Sequence, residues 1–112
     1  MKPLKPLKPF VREFLDEFVR RFTRLGIDAE ALVLFGSQAR GEAKLSSDID
    51  IAVLATELSP TQRGALRGLG EEIDDRLTVN LFFTTKQALI EAEGVFDTNK
   101  YIRDEGVVLW QR

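Results

Sequence analysis

The chain has 112 residues, of which 44% are apolar and 30% charged, with a formal net charge of −2. That length gives room for one domain, and the composition excludes a disordered or fibrous chain. No apolar run approaches the roughly 18 residues that a membrane span needs, and the N-terminus lacks the apolar core of a signal peptide. We therefore expect a cytoplasmic protein that has no membrane partner.

Two residue types are missing altogether: the sequence contains no histidine and no cysteine. Their absence excludes Ser-His-Asp and Cys-His catalysis, thiolate redox chemistry and the usual zinc sites. Acid–base and metal chemistry would then fall to carboxylates, whose oxygens favour hard cations such as Mg²⁺. Residues 1–26 carry a net charge of +4 and the remaining 86 a net charge of −6. An acidic body of this kind argues against direct binding of nucleic acid.

Helices and strands alternate along the chain. Three Lys-Pro repeats predict an extended arm over residues 1–8, and one domain follows over residues 9–112. Apolar residues at helical spacing predict a first helix ending near Gly26: Phe10, Val11, Phe14, Leu15, Phe18, Val19, Phe22 and Leu25. The further predictions are strands over 32–35, 46–56, 78–83 and 107–109, and helices from Ser59-Pro60 to about Asp75, over 85–93 and over 98–105. This order predicts an α/β (α+β) fold with a small sheet flanked by helices.

The first predicted strand runs into a glycine–serine turn. Gly36 allows the backbone to approach a ligand closely, and Ser37 begins a short helix whose unpaired amides attract anions. A simple helix cap has the same pattern, and a Walker loop is excluded because the Gly-Lys-Ser/Thr ending is absent. The turn is therefore a candidate phosphate site, with Arg40 just beyond it as either a phosphate ligand or a member of a surface salt bridge.

Ten residues after Ser37, the sequence Asp48-Ile49-Asp50 opens the second predicted strand. Strand geometry places the two aspartates on one face with Cα atoms about 7 Å apart. Two carboxylates so placed repel each other unless a cation lies between them, although solvated acids at a strand edge remain the alternative. An EF-hand is excluded, since Ala52 and Val53 occupy positions where that loop needs a ligand and a glycine.

Together the glycine–serine turn and the aspartate pair form the pattern Gly-Ser, ten residues, Asp-x-Asp. This pattern resembles the motif of the minimal nucleotidyltransferases (MNT) of the DNA polymerase β superfamily. The resemblance covers about residues 10–110: a leading helix, Arg40-Gly41 after the turn, Ser47 before the first aspartate, and a closing segment over residues 102–110. It implies a fold like a bare polymerase palm. The length leaves no room for both substrate sites of a sugar-nucleotide transferase, which also uses Asp-x-Asp.

The resemblance implies an activity, a cofactor and a partner. Gly36 and Ser37 would hold the triphosphate of ATP, and Asp48 and Asp50 would bind Mg²⁺. Many members of the family are antitoxins that attach AMP to a tyrosine of a HEPN-domain ribonuclease toxin. A HEPN toxin is thus the expected partner, in a hetero-oligomer, and a homo-oligomer formed through the first helix or Trp110 is a further possibility.

The chain departs from the family pattern on the third strand, where members generally carry a carboxylate between valine and leucine. Here Val79-Asn80-Leu81 places a neutral amide opposite the expected site, sharing a face with Thr78 and Phe82. An amide can ligate a metal through its oxygen but cannot accept a proton from the attacking hydroxyl, and a missing general base costs about 10²–10⁴ in rate. Two hypotheses follow: a transferase that uses Asn80 in its catalytic site, or an inactive MNT domain that neutralises its partner by binding.

Overall fold

A four-stranded sheet organises the chain, and the computed structural model describes residues 7–44 and 47–112. The elements in chain order are α1 (Pro9–Leu25), β1 (Ala31–Phe35), α2 (Gly36–Arg40), β2 (Ile49–Leu54), α3 (Pro60–Ile73), β3 (Val79–Thr84), α4 (Lys86–Glu91), α5 (Thr98–Glu105) and β4 (Val107–Gln111). The strand order is β3-β2-β1-β4. Strand β1 is antiparallel to β2 and to β4, whereas β2 and β3 are parallel. The predicted mixed sheet flanked by helices is confirmed.

The element bounds differ from the predicted ones where pairing or capping ends an element. Strand β2 covers Ile49–Leu54 rather than the predicted 46–56, because its pairing with β3 extends only from Ile49 to Leu54. Residue 46 of the predicted strand lies outside the described residues. Helix α3 ends at Ile73, since Asp74 is already extended with φ −157°. The first six residues of the predicted Lys-Pro arm lie outside the described residues. Lys8 caps α1, and its Nζ donates to the carbonyl of Ala43 at 3.0 Å.

Helices cover both faces of the sheet, and the alternation of side chains along β2 decides which residues each layer meets. Ile49, Ile51 and Val53 belong to the main core with α1 and α3, whereas Ala52 and Leu54 face a smaller core with α4 and α5. This division confirms the predicted alternation. None of the helices in the described ranges combines the length and apolar character that a membrane crossing needs.

Helix α1 buries most of its predicted apolar stripe. Five members are buried: Val11, Phe14, Leu15, Phe18 and Phe22. Phe10 and Leu25, at the two ends of the stripe, are exposed. Trp110 of β4 is partly buried against the Phe22 ring, with centroids 5.1 Å apart in an edge-to-face arrangement. Much of the Trp110 ring is therefore covered by contacts within the chain.

Candidate active site

The turn between β1 and α2 depends on a glycine for two reasons. Gly36 has φ +76°, a left-handed conformation that L side chains rarely adopt. A Cβ atom at this position would also lie 2.2 Å from Oδ2 and 3.1 Å from Cγ of Asp50. The turn and the carboxylate are thus in direct contact, and both the backbone conformation and the space disfavour a larger residue.

The two aspartates lie beside this turn, as the sequence predicts. Asp50 is the second residue of β2, paired in register with Phe35 at the end of β1, and it is half-buried. Asp48 directly precedes β2 and is exposed. Because β1 runs antiparallel to β2, the last residue of β1 and the first residues of β2 lie side by side at the same end of the two strands. Topology therefore brings the glycine–serine turn and the carboxylates together.

Asn80 joins this group from the neighbouring strand. In the parallel pairing of β2 with β3, Asn80 is the register partner of Asp50. Its Nδ2 donates to Asp48 Oδ2 and to Asp50 Oδ1, both at 3.0 Å. One amide group thus bridges the two carboxylates and offsets part of their repulsion. Within residues 7–44 and 47–112, no group of three or more acidic residues is placed to hold a metal ion.

An aromatic pair beside the carboxylates was not predicted. Phe35 and Phe82 stand on the same face of the sheet as Asp50, with ring centroids 6.5 Å apart at an interplanar angle of 73°. Ala52, the register partner of Phe82, lies next to Asp50 on this face, and its small side chain leaves room for the rings to meet. The sequence signal was available: Phe35 is opposite Asp50, and Phe82 is two residues after Asn80. Both rings are partly exposed and border the candidate site.

Arg40, at the end of α2, engages two carboxylates. Its Nε donates to Glu42 at 3.0 Å, and its Nη1 lies 3.4 Å from Glu105 of α5. The hydrogen bond to Glu42 raises the pKa of the guanidinium. These contacts tie α2 to α5 and match the salt-bridge alternative for Arg40. Ser37 follows Gly36 in the first turn of α2, where backbone amides have no acceptor within the helix.

The donor set suits a hard divalent cation bound together with a nucleotide. Asp48 and Asp50 supply carboxylate oxygens, and Asn80 supplies an amide oxygen if its side chain turns over. Magnesium in phosphate-transfer sites is commonly held by one or two carboxylates, with substrate phosphates and water completing the octahedron. A pair of carboxylates next to a candidate phosphate-binding turn therefore fits Mg²⁺ carried on a triphosphate, and it does not fit an all-protein metal cage.

Comparisons with known proteins bear on the family and the fold of the chain. The family model described as "Polymerase beta, Nucleotidyltransferase" matches residues 19–112. No curated protein matches the chain. Among solved structures, a chain from a toxin–antitoxin complex with AMP-PNP is 28% identical with a TM-score of 0.61, and the match covers 86% of this chain and 73% of that one.

A second solved structure contains the tri-AMPylated HEPN toxin of Shewanella oneidensis in complex with an MNT antitoxin. The match is 25% identical with a TM-score of 0.57, and it covers 90% of this chain and 72% of that chain. A chain from an MntA–HepT toxin–antitoxin complex is 24% identical with a TM-score of 0.59, which shows likeness of fold. The predicted resemblance to MNT domains is confirmed.

Proposed function

This chain belongs to the polymerase β nucleotidyltransferase family, and we propose that it transfers AMP from Mg²⁺-ATP to a tyrosine hydroxyl of a HEPN-domain toxin, acting as its antitoxin. The observation that carries the proposal is the contact between Gly36 and Asp50, the residues to which we assign phosphate binding and metal binding. The neighbouring complexes with AMP-PNP and with an AMPylated HEPN toxin support the donor and the acceptor.

Each side chain of the site has a proposed role. The amides of Gly36 and Ser37 would bind phosphate oxygens, as amides at a helix start do. Asp48 and Asp50 would hold Mg²⁺, which when bound would offset the charge of the triphosphate. The acceptor oxygen would form a bond to the α-phosphorus while the bond to pyrophosphate breaks. Since the amide of Asn80 cannot accept the hydroxyl proton, that proton would pass to water or to a base of the partner.

The experiment is an AMP-transfer assay with α-labelled ATP, Mg²⁺ and the HEPN protein encoded beside this chain. We expect label on the HEPN protein, and a loss of at least about a hundredfold in Asp48→Asn and Asp50→Asn, the scale for removing one electrostatic group of a site. Asp16→Asn is the matched control, because Asp16 is an exposed aspartate of α1 that pairs with Arg12. Label transfer that survives both substitutions would refute the assignment.

A second function is favoured by the hydrogen bonds of Asn80: an antitoxin that works by occlusion without turnover. A neutral residue in this place removes the general base, and its amide engages both carboxylates at 3.0 Å. Under this alternative the native protein silences its partner without labelling it, and Asn80→Asp restores label transfer. Strong transfer by the native protein would exclude occlusion as the mechanism.

A further inference from the structure

Strand β3 forms one edge of the sheet, and half of its backbone groups point outward. The carbonyls of Thr78 and Thr84 accept hydrogen bonds from β2 and its flank, both at 2.9 Å. Because backbone groups alternate along a strand, the amides and carbonyls of Val79, Leu81 and Phe83 face away from β2. Within residues 7–44 and 47–112 these outward groups have no hydrogen-bond partner.

Two arginines of α3 lie over this edge. The guanidinium carbons of Arg63 and Arg67 lie 5.1 and 5.0 Å from the centroid of the Phe83 ring, so that one ring positions two cations. Both side chains are exposed. Seven of the ten arginines form ion pairs, whereas these two have no acidic partner in the described part of the chain. Two oriented, uncompensated cations thus adjoin an unpaired strand edge.

We infer that β3 and the arginine pair form a docking site for an extended acidic segment of a partner protein, which adds to the sheet as a fifth strand. The outward amides and carbonyls would pair with the backbone of the segment. Its acidic side chains on the α3 face would accept hydrogen bonds from Arg63 and Arg67. Arg63, Arg67 and Phe83 lie on the face of the sheet opposite Asp50 and Asn80, so the acidic side chains of the segment would lie away from the carboxylates.

The chemistry of the β3 edge favours an acidic polypeptide segment over a nucleic acid and over a second copy of this chain. A strand edge offers alternating donors and acceptors at peptide spacing, which matches a polypeptide backbone and has no counterpart in a nucleic acid. A second copy paired through β3 would bring its own Arg63 and Arg67 to the same edge. Since β3 carries no acidic residue, such a dimer would collect four cations without a counter-charge.

The test uses the full chain and a fluorescein-labelled peptide of alternating valine and glutamate, as long as β3. We expect saturable binding by fluorescence anisotropy. The double variant Arg63→Gln/Arg67→Gln should bind about tenfold or more weakly, the scale of one lost charge-assisted hydrogen bond. Arg24→Gln is the matched control, because Arg24 is an exposed arginine at the end of α1, away from β3. Thermal unfolding of each variant checks that the fold is retained.

Two further peptides separate the backbone contribution from the charge. The alternating valine–glutamine peptide should bind weakly to every variant. A valine–glutamate peptide methylated on alternate backbone nitrogens keeps its charge but cannot pair with the edge, so its binding should be lost. Absence of binding by the unmethylated peptide at about 1 mM, equal binding of the methylated one, tighter binding of oligouridylate, or a dimer abolished by Leu81→Pro would overturn the inference.

Discussion

Replacing Gly36 by alanine tests whether the turn positions the metal-binding carboxylate. The added methyl group meets two obstacles: φ +76°, and the Asp50 carboxylate, whose Oδ2 would lie 2.2 Å away. The left-handed backbone alone costs an alanine about 1–2 kcal/mol. The carboxylate is the end of a side chain and can rotate away, so the contact is relieved by breaking its hydrogen bond with Asn80, a further loss of roughly 0.5–1.5 kcal/mol.

Gly26 provides the matched control for the backbone contribution. It ends α1 with φ +64°, and a Cβ atom there would meet nothing within 4 Å. Gly26→Ala should therefore lose only the conformational part of the free energy of unfolding. Gly36→Ala should lose more, and the total of about 1.5–3.5 kcal/mol corresponds to a Tm lower by roughly 5–15 °C in a domain of this size.

The functional effect should exceed the effect on stability. If the rotated Asp50 carboxylate no longer faces Asp48, affinity for Mg²⁺ with AMP-PNP should fall by about 10–100-fold, the scale for losing a group that orients a metal ligand. Isothermal titration calorimetry measures this, and Gly26→Ala should bind like the native chain. A double-mutant cycle with Asp50→Ala should remove the excess destabilisation of Gly36→Ala. Equal stability and equal affinity of the two alanine variants would refute the reasoning.

Three further predictions concern stability, each followed by thermal unfolding. Arg103 donates from Nη1 to three carbonyls at the end of α4, at 2.7 to 3.4 Å. Arg103→Met should lower the free energy of unfolding by about 1–3 kcal/mol, and an unchanged Tm would show that Arg103 does not stabilise the end of α4. The side-chain hydrogen bond from Arg76 lowers the pKa of Asp74, so the stabilisation by this ion pair is present above the ordinary carboxyl pKa and is lost as pH falls through the lowered value. The Tm difference between the native and Asp74→Asn chains should therefore shrink on acidification, and a Tm difference constant with pH would contradict this prediction. A Cβ at Gly106 would overlap the backbone oxygen of Ile102 and lie 2.5 Å from Val33 Cγ1. Gly106→Ala should therefore cost about 1–3 kcal/mol, and native-like stability would contradict this close packing.

Local pattern was sufficient to predict most elements, because each has a strong periodic or capping signal. Ser59 both precedes a proline and caps α3 in a capping box with Gln62. Thr85 likewise caps α4 and Asp97 caps α5. The alternation along β2 was also predictable, since the period of a strand is two. The ends of the elements were less predictable. Strand β2 ends where its pairing with a neighbouring strand ends, and that depends on two segments of the chain at once.

The strand order could not be predicted from such local signals. The sequence places helices between strands, which is compatible with several arrangements of four strands. The observed order is β3-β2-β1-β4, with β1 and β2 antiparallel and β3 at the edge. The stacking of Arg63 and Arg67 on Phe83 depends on that order and was not visible in the sequence. The family resemblance supplied the candidate site, because its motif spans the end of one strand and the start of the next.

The hydrogen bonds of Asn80 bear on metal binding as well as on the proposed catalysis. Asp48 and Asp50 are placed on one face by strand geometry, and a third carboxylate between them would add to their repulsion. The amide instead offers one N–H to each, both at 3.0 Å, so that the pair is compatible with a folded site when no cation is bound. A cation that uses both carboxylates must displace those hydrogen bonds. We therefore expect Asn80 to lower the affinity for free Mg²⁺ and to leave the site better suited to a cation delivered already bound to a triphosphate.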